Sequence, residues 1–254
     1  MLIALEIAVL VAVGILSMLV STMTGGGTNV VLIPVLILVF HFPPGEAIGT
    51  SFMALTAGST VAAIRFFRRG HVDVRRGVLL GASAIPGVVS GSLFSFFAQD
   101  NVFQMLIGLV VIGLSATMLL RGPAADGLRG SPDYDVNMKM GAPMLFLAGV
   151  FVGVFGQGGG LVIMPVMQFL GFPIAAALGT MRIIALLMGG TAFVTRLAVA
   201  QVDVWSGLAL AAGSVIGGFL GAEIGSAMKA EALRLAVAVL IGSLGVALVL
   251  EAVL

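Results

Sequence analysis

Apolar residues fill this chain in long runs, and the polar positions between the runs follow a pattern that occurs twice. The first set of runs covers residues 2–23, 30–42, 46–67, 74–98 and 102–120. The second covers 142–155, 161–172, 174–199, 204–227 and 232–253. About 20 apolar residues suffice to cross a bilayer as a helix, and several runs reach that length. Three do not, 30–42, 142–155 and 161–172, and all three flank glycine-rich breaks. The pattern predicts an all-α integral membrane protein with broken or re-entrant helices. An outer-membrane barrel would show alternating polar and apolar residues instead of continuous runs.

The breaks are two versions of one motif. The first reads GGGTNVVLIP, Gly25 to Pro34, and the second GQGGGLVIMP, Gly156 to Pro165. Beyond them a single constant offset sets Phe42-Pro43 on Phe172-Pro173 and Gly49-Thr50 on Gly179-Thr180. The same offset sets His71-Val72-Asp73-Val74 on Gln201-Val202-Asp203-Val204, with Gly77, Gly87 and Gly91 on Gly207, Gly217 and Gly221. Chance gives apolar matches easily, but not aligned Gly, Pro and Val-Asp-Val. The chain is thus expected to hold an N-terminal repeat (1–120), a hydrophilic linker (121–140) and a C-terminal repeat (141–254), together one transport unit.

Charge sets the expected orientation. Arg65, Arg68, Arg69, Arg75 and Arg76 crowd the loop between the third and fourth runs and mark it as cytoplasmic, as lysines and arginines concentrate on that side. The next loop has Asp100 and no base, so it is placed outside, and Arg121, Arg129 and Lys139 return the linker inside. In the second half the arginine cluster is reduced to Arg196, while Lys229 and Arg234 mark the following loop as internal. Five runs per half is an odd number, so the halves should be inverted, with both termini outside. Inverted repeats with discontinuous helices are the architecture of secondary transporters, with the substrate near mid-membrane at the repeat interface.

Composition narrows the chemistry. The 254 residues are 60% hydrophobic and only 9% charged, against about a quarter charged in soluble domains. There are no cysteines, which excludes disulfides, thiolate metal sites and iron–sulfur clusters. Two histidines, His41 and His71, lie near run ends and cannot make a metal site by themselves. No nucleophile–base pair is visible, so an enzyme is not expected, and neither is a cofactor. No Walker lysine follows either glycine run, and neither completes a dinucleotide fingerprint. Nucleic acid is not an expected partner. The lipid bilayer is, together with a small anionic substrate; proton or ion coupling and a homodimer stay open. The N-terminus lacks the basic start of a secretory signal and reads as a first helix.

The paired GGGTNVVLIP and GQGGGLVIMP motifs, each followed by a Phe-Pro turn and a Gly-Thr, resemble the sulfite exporter TauE/SafE family over essentially the whole chain. The resemblance implies a bacterial inner-membrane permease for sulfur-containing anions such as sulfite, thiosulfate or an organosulfonate, or for related small organic anions. The two copies are chemically unequal. Thr28-Asn29 stands where a glycine run would continue, and Gly179-Thr180-Met181-Arg182 answers Gly49-Thr50-Ser51-Phe52.

The residues themselves suggest how an anion would be held. A helix interrupted in an apolar setting exposes backbone groups that lipid cannot satisfy. The N–H groups and positive dipole end of the helix after each break form an anion site. Gly26, Gly27, Thr28 and Asn29 in the first break and Gln157, Gly158, Gly159 and Gly160 in the second are the candidates, although Thr28 and Asn29 are also good helix caps. Arg182 lies about nine residues into its helix, roughly 13 Å along the axis. An arginine at that depth faces the protein interior and is a functional candidate, its fork matched to a sulfonate or carboxylate. Its plainer roles are to pair with Glu223 or to cap helix-terminal carbonyls. Thr50, Ser51 and Thr180 could donate to substrate oxygens or bond back to the preceding turn. Asp73 and Asp203 read as caps, and Glu223 as a near-interface or paired carboxylate. Gly213, Gly217, Gly221 and Gly225 recur every four residues, a small-residue face for close packing inside the monomer.

Overall fold

A computed structural model describes residues 2–24, 28–68, 72–97, 100–120, 136–156, 159–224 and 230–253. The described secondary structure is helical throughout: α1 (Leu2–Thr24), α2 (Asn29–Leu38), α3 (Pro44–Arg68), α4 (Val74–Phe96), α5 (Asp100–Leu120), α6 (Met138–Phe155), α7 (Gly159–Phe169), α8 (Ile174–Ala198), α9 (Val204–Ile224) and α10 (Ala230–Val253). Five helices in each half correspond to the five expected runs. Six of the described helices, α1, α3, α4, α6, α8 and α9, are long and apolar enough to cross a membrane.

The helices after the breaks are short. α2 has 10 residues and α7 has 11, so each rises only ~15–17 Å. Neither can cross a ~30 Å hydrocarbon core alone. α6 corrects an expectation. The run 142–155 looked too short to span, but the helix starts at Met138 and reaches 18 residues. Asn137 caps it by accepting the Met140 N–H, and the exposed Lys139 sits in its first turn. A lysine is tolerated there because its long stem lets the ammonium reach the membrane surface.

Packing follows an exchange between the halves. α1 lies along α9, as α6 lies along α4; α3 packs on α8 and α9, as α8 packs on α3 and α4; α5 packs on α10. Swapping each helix with its counterpart in the other half returns this set of main contacts, which is compatible with the inverted duplication. Glycines make the closest pairs possible. A Cβ on Gly87 or Gly91 would overlap the Phe146 or Val150 carbonyl of α6, and one on Gly213 or Gly217 would overlap the Val11 or Ile15 carbonyl of α1. Gly213, Gly217 and Gly221 therefore pack within the chain; Gly225 lies outside the described residues.

One turn repeats as well. His41 (φ 56°) between α2 and α3 answers Gly171 (φ 96°) between α7 and α8. Ala200, closing α8, has φ 56°. A side chain in this left-handed region is strained by ~1–2 kcal/mol. Ala200→Gly is therefore expected to raise stability by up to about 1 kcal/mol, part of the relief being offset by the backbone entropy of glycine. Thermal unfolding in detergent reads it; a lowered midpoint would mean that the turn is not strained.

Candidate functional site

The two breaks meet. Asn29 is the first residue of α2, and its Nδ2 donates to the Gly156 carbonyl at 2.7 Å. Gly156 caps the end of α6 with φ +68°, a left-handed conformation natural to glycine, and a Cβ there would collide with Ile48 and Ile33. The bond therefore joins the start of α2 to the end of α6, at the head of the second break. Asn29 is buried, and its Oδ1 finds no partner among the described residues. Gly159 and Gly160 open α7, whereas Gly26, Gly27, Gln157 and Gly158 lie outside the described residues.

Thr28 does not cap. Its hydroxyl donates to Met18 Sδ at 3.2 Å, while its backbone is already helical (φ −53°, ψ −42°). A cap side chain needs non-helical backbone to reach the next amides, and Thr28 lacks it. The predicted capping role of Asn29 gives way in the same manner to the cross-break bond.

Arg182 is 2% exposed and reaches out of α8 to the last turn of α1. Its NH2 donates to the Ser21 carbonyl at 2.8 Å and to that of Thr22 at 3.5 Å. These acceptors lie in the last turn of α1, whose carbonyls carry the negative end of the helix dipole. Of the two plainer roles, the carbonyl one holds: Glu223 pairs with Arg65 at 2.6 Å, with Arg65 also 3.9 Å over the Phe219 ring. Arg182 Nε is buried with no hydrogen-bond partner among the described residues.

Arg196, assigned from sequence to the topology signal, is fully buried and is corrected here. Its NH2 donates to Ser95 Oγ at 2.7 Å and to the Gly153 and Val154 carbonyls at 2.9 and 3.5 Å. Its NH1 donates to Gln201 Oε1 at 2.8 Å and to the Gly45 carbonyl at 3.3 Å. It does for α6, ahead of the second break, what Arg182 does for α1 ahead of the first. One clue was legible: fourteen residues separate the two arginines on α8, nearly four whole turns at 3.6 residues each, which sets them within about 40° of one face. With Arg196 inside, the α8–α9 turn carries no base, which sharpens the charge contrast with the α3–α4 loop. Neither buried arginine belongs to an ion pair among the described residues.

The remaining candidates are engaged elsewhere. Thr50 Oγ1 accepts the Asp203 N–H at 2.9 Å, and Thr180 Oγ1 accepts the Asp73 N–H at 3.0 Å. These two bonds are exchange mates, each tying the third helix of one half to the fourth of the other. Ser51 donates back to the Ile48 carbonyl at 2.7 Å. Asp73 and Asp203 cap α4 and α9, accepting the amides of Arg76 and of Trp205, both at 2.9 Å. All three hydroxyl residues are buried, and no bond among the described residues joins them to Asn29 or Arg182.

The Asn29 link can be tested alone. Asn29→Asp keeps the shape but turns a donor into an acceptor facing a carbonyl, which should cost at least ~1–3 kcal/mol. A thermal midpoint in detergent unchanged from wild type would mean that the breaks are joined by something else.

Comparison with known proteins places these features in a family context. A family model described as sulfite exporter TauE/SafE matches residues 10–248. A probable membrane transporter protein, YunE of Bacillus subtilis (strain 168), is 26% identical over 98% of this chain and 99% of its own length. A probable membrane transporter protein of Xylella fastidiosa (strain 9a5c) is 29% identical over 80% of this chain and 77% of its own. No solved structure matches the chain.

Proposed function

Because the chain belongs to the sulfite exporter TauE/SafE family of membrane transporters, we propose that it carries small sulfur-containing anions, such as sulfite, thiosulfate or an organosulfonate, by alternating access. The observation that carries this reading is the Asn29–Gly156 bond, which joins the start of α2 in the first break to the head of the second, in a protein whose buried arginines have no carboxylate partner among the described residues. An excess of positive charge in a low-dielectric interior favours an anion, and helix N-termini supply the N–H donors to hold one. Asn29 Oδ1 and Arg182 Nε, both without a partner among the described residues, are groups that a substrate or its water would satisfy. Arg182 would supply charge, while Thr28, Asn29, Gln157 and the glycines of both breaks would shape the site.

In this reading the protein lies in a bacterial inner membrane with both termini outside, and the α3–α4 loop faces the cytoplasm. Thr50, Ser51 and Thr180 stand as reserve contacts, available once their present bonds part. Reconstituted protein should give saturable flux of at least one anion in a panel of sulfite, thiosulfate, organosulfonates and small carboxylates, and that flux should be stimulated by the same anion on the far side. Conductance that neither saturates nor responds to counter-anion would favour a channel. Flux confined to carboxylates would replace the sulfur assignment with another organic anion. Protein inert towards the whole panel would sink the proposal.

A further inference from the structure

The helices sort into two triads that mix the sequence halves. α8 and α6 both pack on α4, and α3 and α1 both pack on α9, with the α3–α8 contact as the seam between the triads. The threonine bonds respect this division: Thr180 on α8 holds the start of α4, and Thr50 on α3 holds the start of α9. Most of the Arg196 bonds stay within its own triad, to Ser95 of α4 and to Gly153 and Val154 of α6. Its bond to the Gly45 carbonyl, in the first turn of α3, crosses the seam. The seam is tight there because Gly45 and Gly49 have no side chain: a Cβ on either would overlap Gln201, the other partner of the Arg196 NH1.

We propose that Arg196 is a positioning residue for transport, fixing the carbonyl end of α6, and with it the second break, against the first turn of α3, and releasing Gly45 when the α3–α8 seam opens. It acts through the break and does not touch the substrate. A planar guanidinium suits this task because its fork of donors serves acceptors on three helices at once, which a lysine ammonium cannot match in geometry. The proposal rests on the transporter reading above, but not on the identity of the anion.

The chain has no cysteine, so single reporter cysteines can be placed cleanly. Ile163→Cys in α7 reports on the second break and Leu210→Cys in α9, against Gly14 of α1, on the other triad, both side chains being 0% exposed. In Arg196→Met, labelling of Ile163→Cys by a membrane-impermeant maleimide should rise by about tenfold while Leu210→Cys stays within about twofold, since distant sites respond independently. The maximal flux of whichever anion the wild type carries should fall with KM within about twofold, the signature of an interaction absent from substrate binding. Arg196→Lys should lie between, and it serves as the readout if the methionine variant does not fold. Unchanged labelling at Ile163→Cys would overturn the proposal. So would a parallel rise at both reporters, which means general loosening, or a KM raised about tenfold at unchanged maximal flux, which means direct contact with substrate. Labelling needs no substrate, so an inert anion panel would remove the sulfur-anion reading and leave this result standing.

Discussion

Replacing Arg182 with methionine should lower anion flux by at least about tenfold, the equivalent of ~1.4 kcal/mol in barrier height. Two effects combine. The Ser21 and Thr22 carbonyls at the end of α1 lose the Arg182 donor in a buried place, and a hydrogen bond from a charged donor is worth ~1.5–3 kcal/mol. The interior also loses one of the two deeply buried positive charges among the described residues, which otherwise favour an anion. Arg182→Lys keeps the charge and should retain part of the flux, though a point-like ammonium does not reproduce the guanidinium fork. Initial rates in proteoliposomes matched for protein content, read beside the thermal midpoint, separate the two effects. Flux within about twofold of wild type with a midpoint lowered by several degrees would reduce Arg182 to a helix cap.

The second large effect lies in the helix packing. Gly87→Val should destabilise the protein by ~1–3 kcal/mol or more, because a Cβ at this position overlaps the Phe146 carbonyl and backbone cannot step aside as a flexible side chain can. α6 would be pushed off α4, and the end of α6 that carries Gly153, Val154 and Gly156 would move with it. Gly113 in α5 is the internal control, since a Cβ there meets nothing within 4 Å. Gly113→Ala should be neutral or stabilising by about 0.5–1 kcal/mol from helix propensity alone. Equal midpoints for the two variants would show that close α4–α6 contact is not needed.

Much of this was legible in the sequence, for identifiable reasons. Long apolar runs gave the helices because a bilayer leaves few other options. The duplication showed through because glycines, prolines and Val-Asp-Val punctuate an otherwise monotonous composition. The glycine breaks pointed to one another because each stops a helix in the same way, and Asn29 and Gly156 do join them. Arg196 was hidden because an arginine two residues from a helix end looks the same whether it faces the membrane surface or the end of another helix. Only the packing of α8 beside α4 and α6 reveals the carbonyls that it caps. Thr50 and Thr180 were recognised as a matched pair, but their partners lie on the opposite half, and sequence offset alone says nothing about contacts across halves. The start of α6 was missed because Lys139 disguised an interfacial first turn as linker.

The central claim is that the two breaks, with Arg182, make one anion site. Selenite tests it most directly, since selenium takes the place of sulfur and scatters anomalously. In diffraction from the protein saturated with selenite, the account predicts a peak beside the Asn29–Gly156 bond, at the start of α2, that disappears in Arg182→Met. A peak only at the protein surface, or one at the breaks that persists undiminished in Arg182→Met, would contradict it.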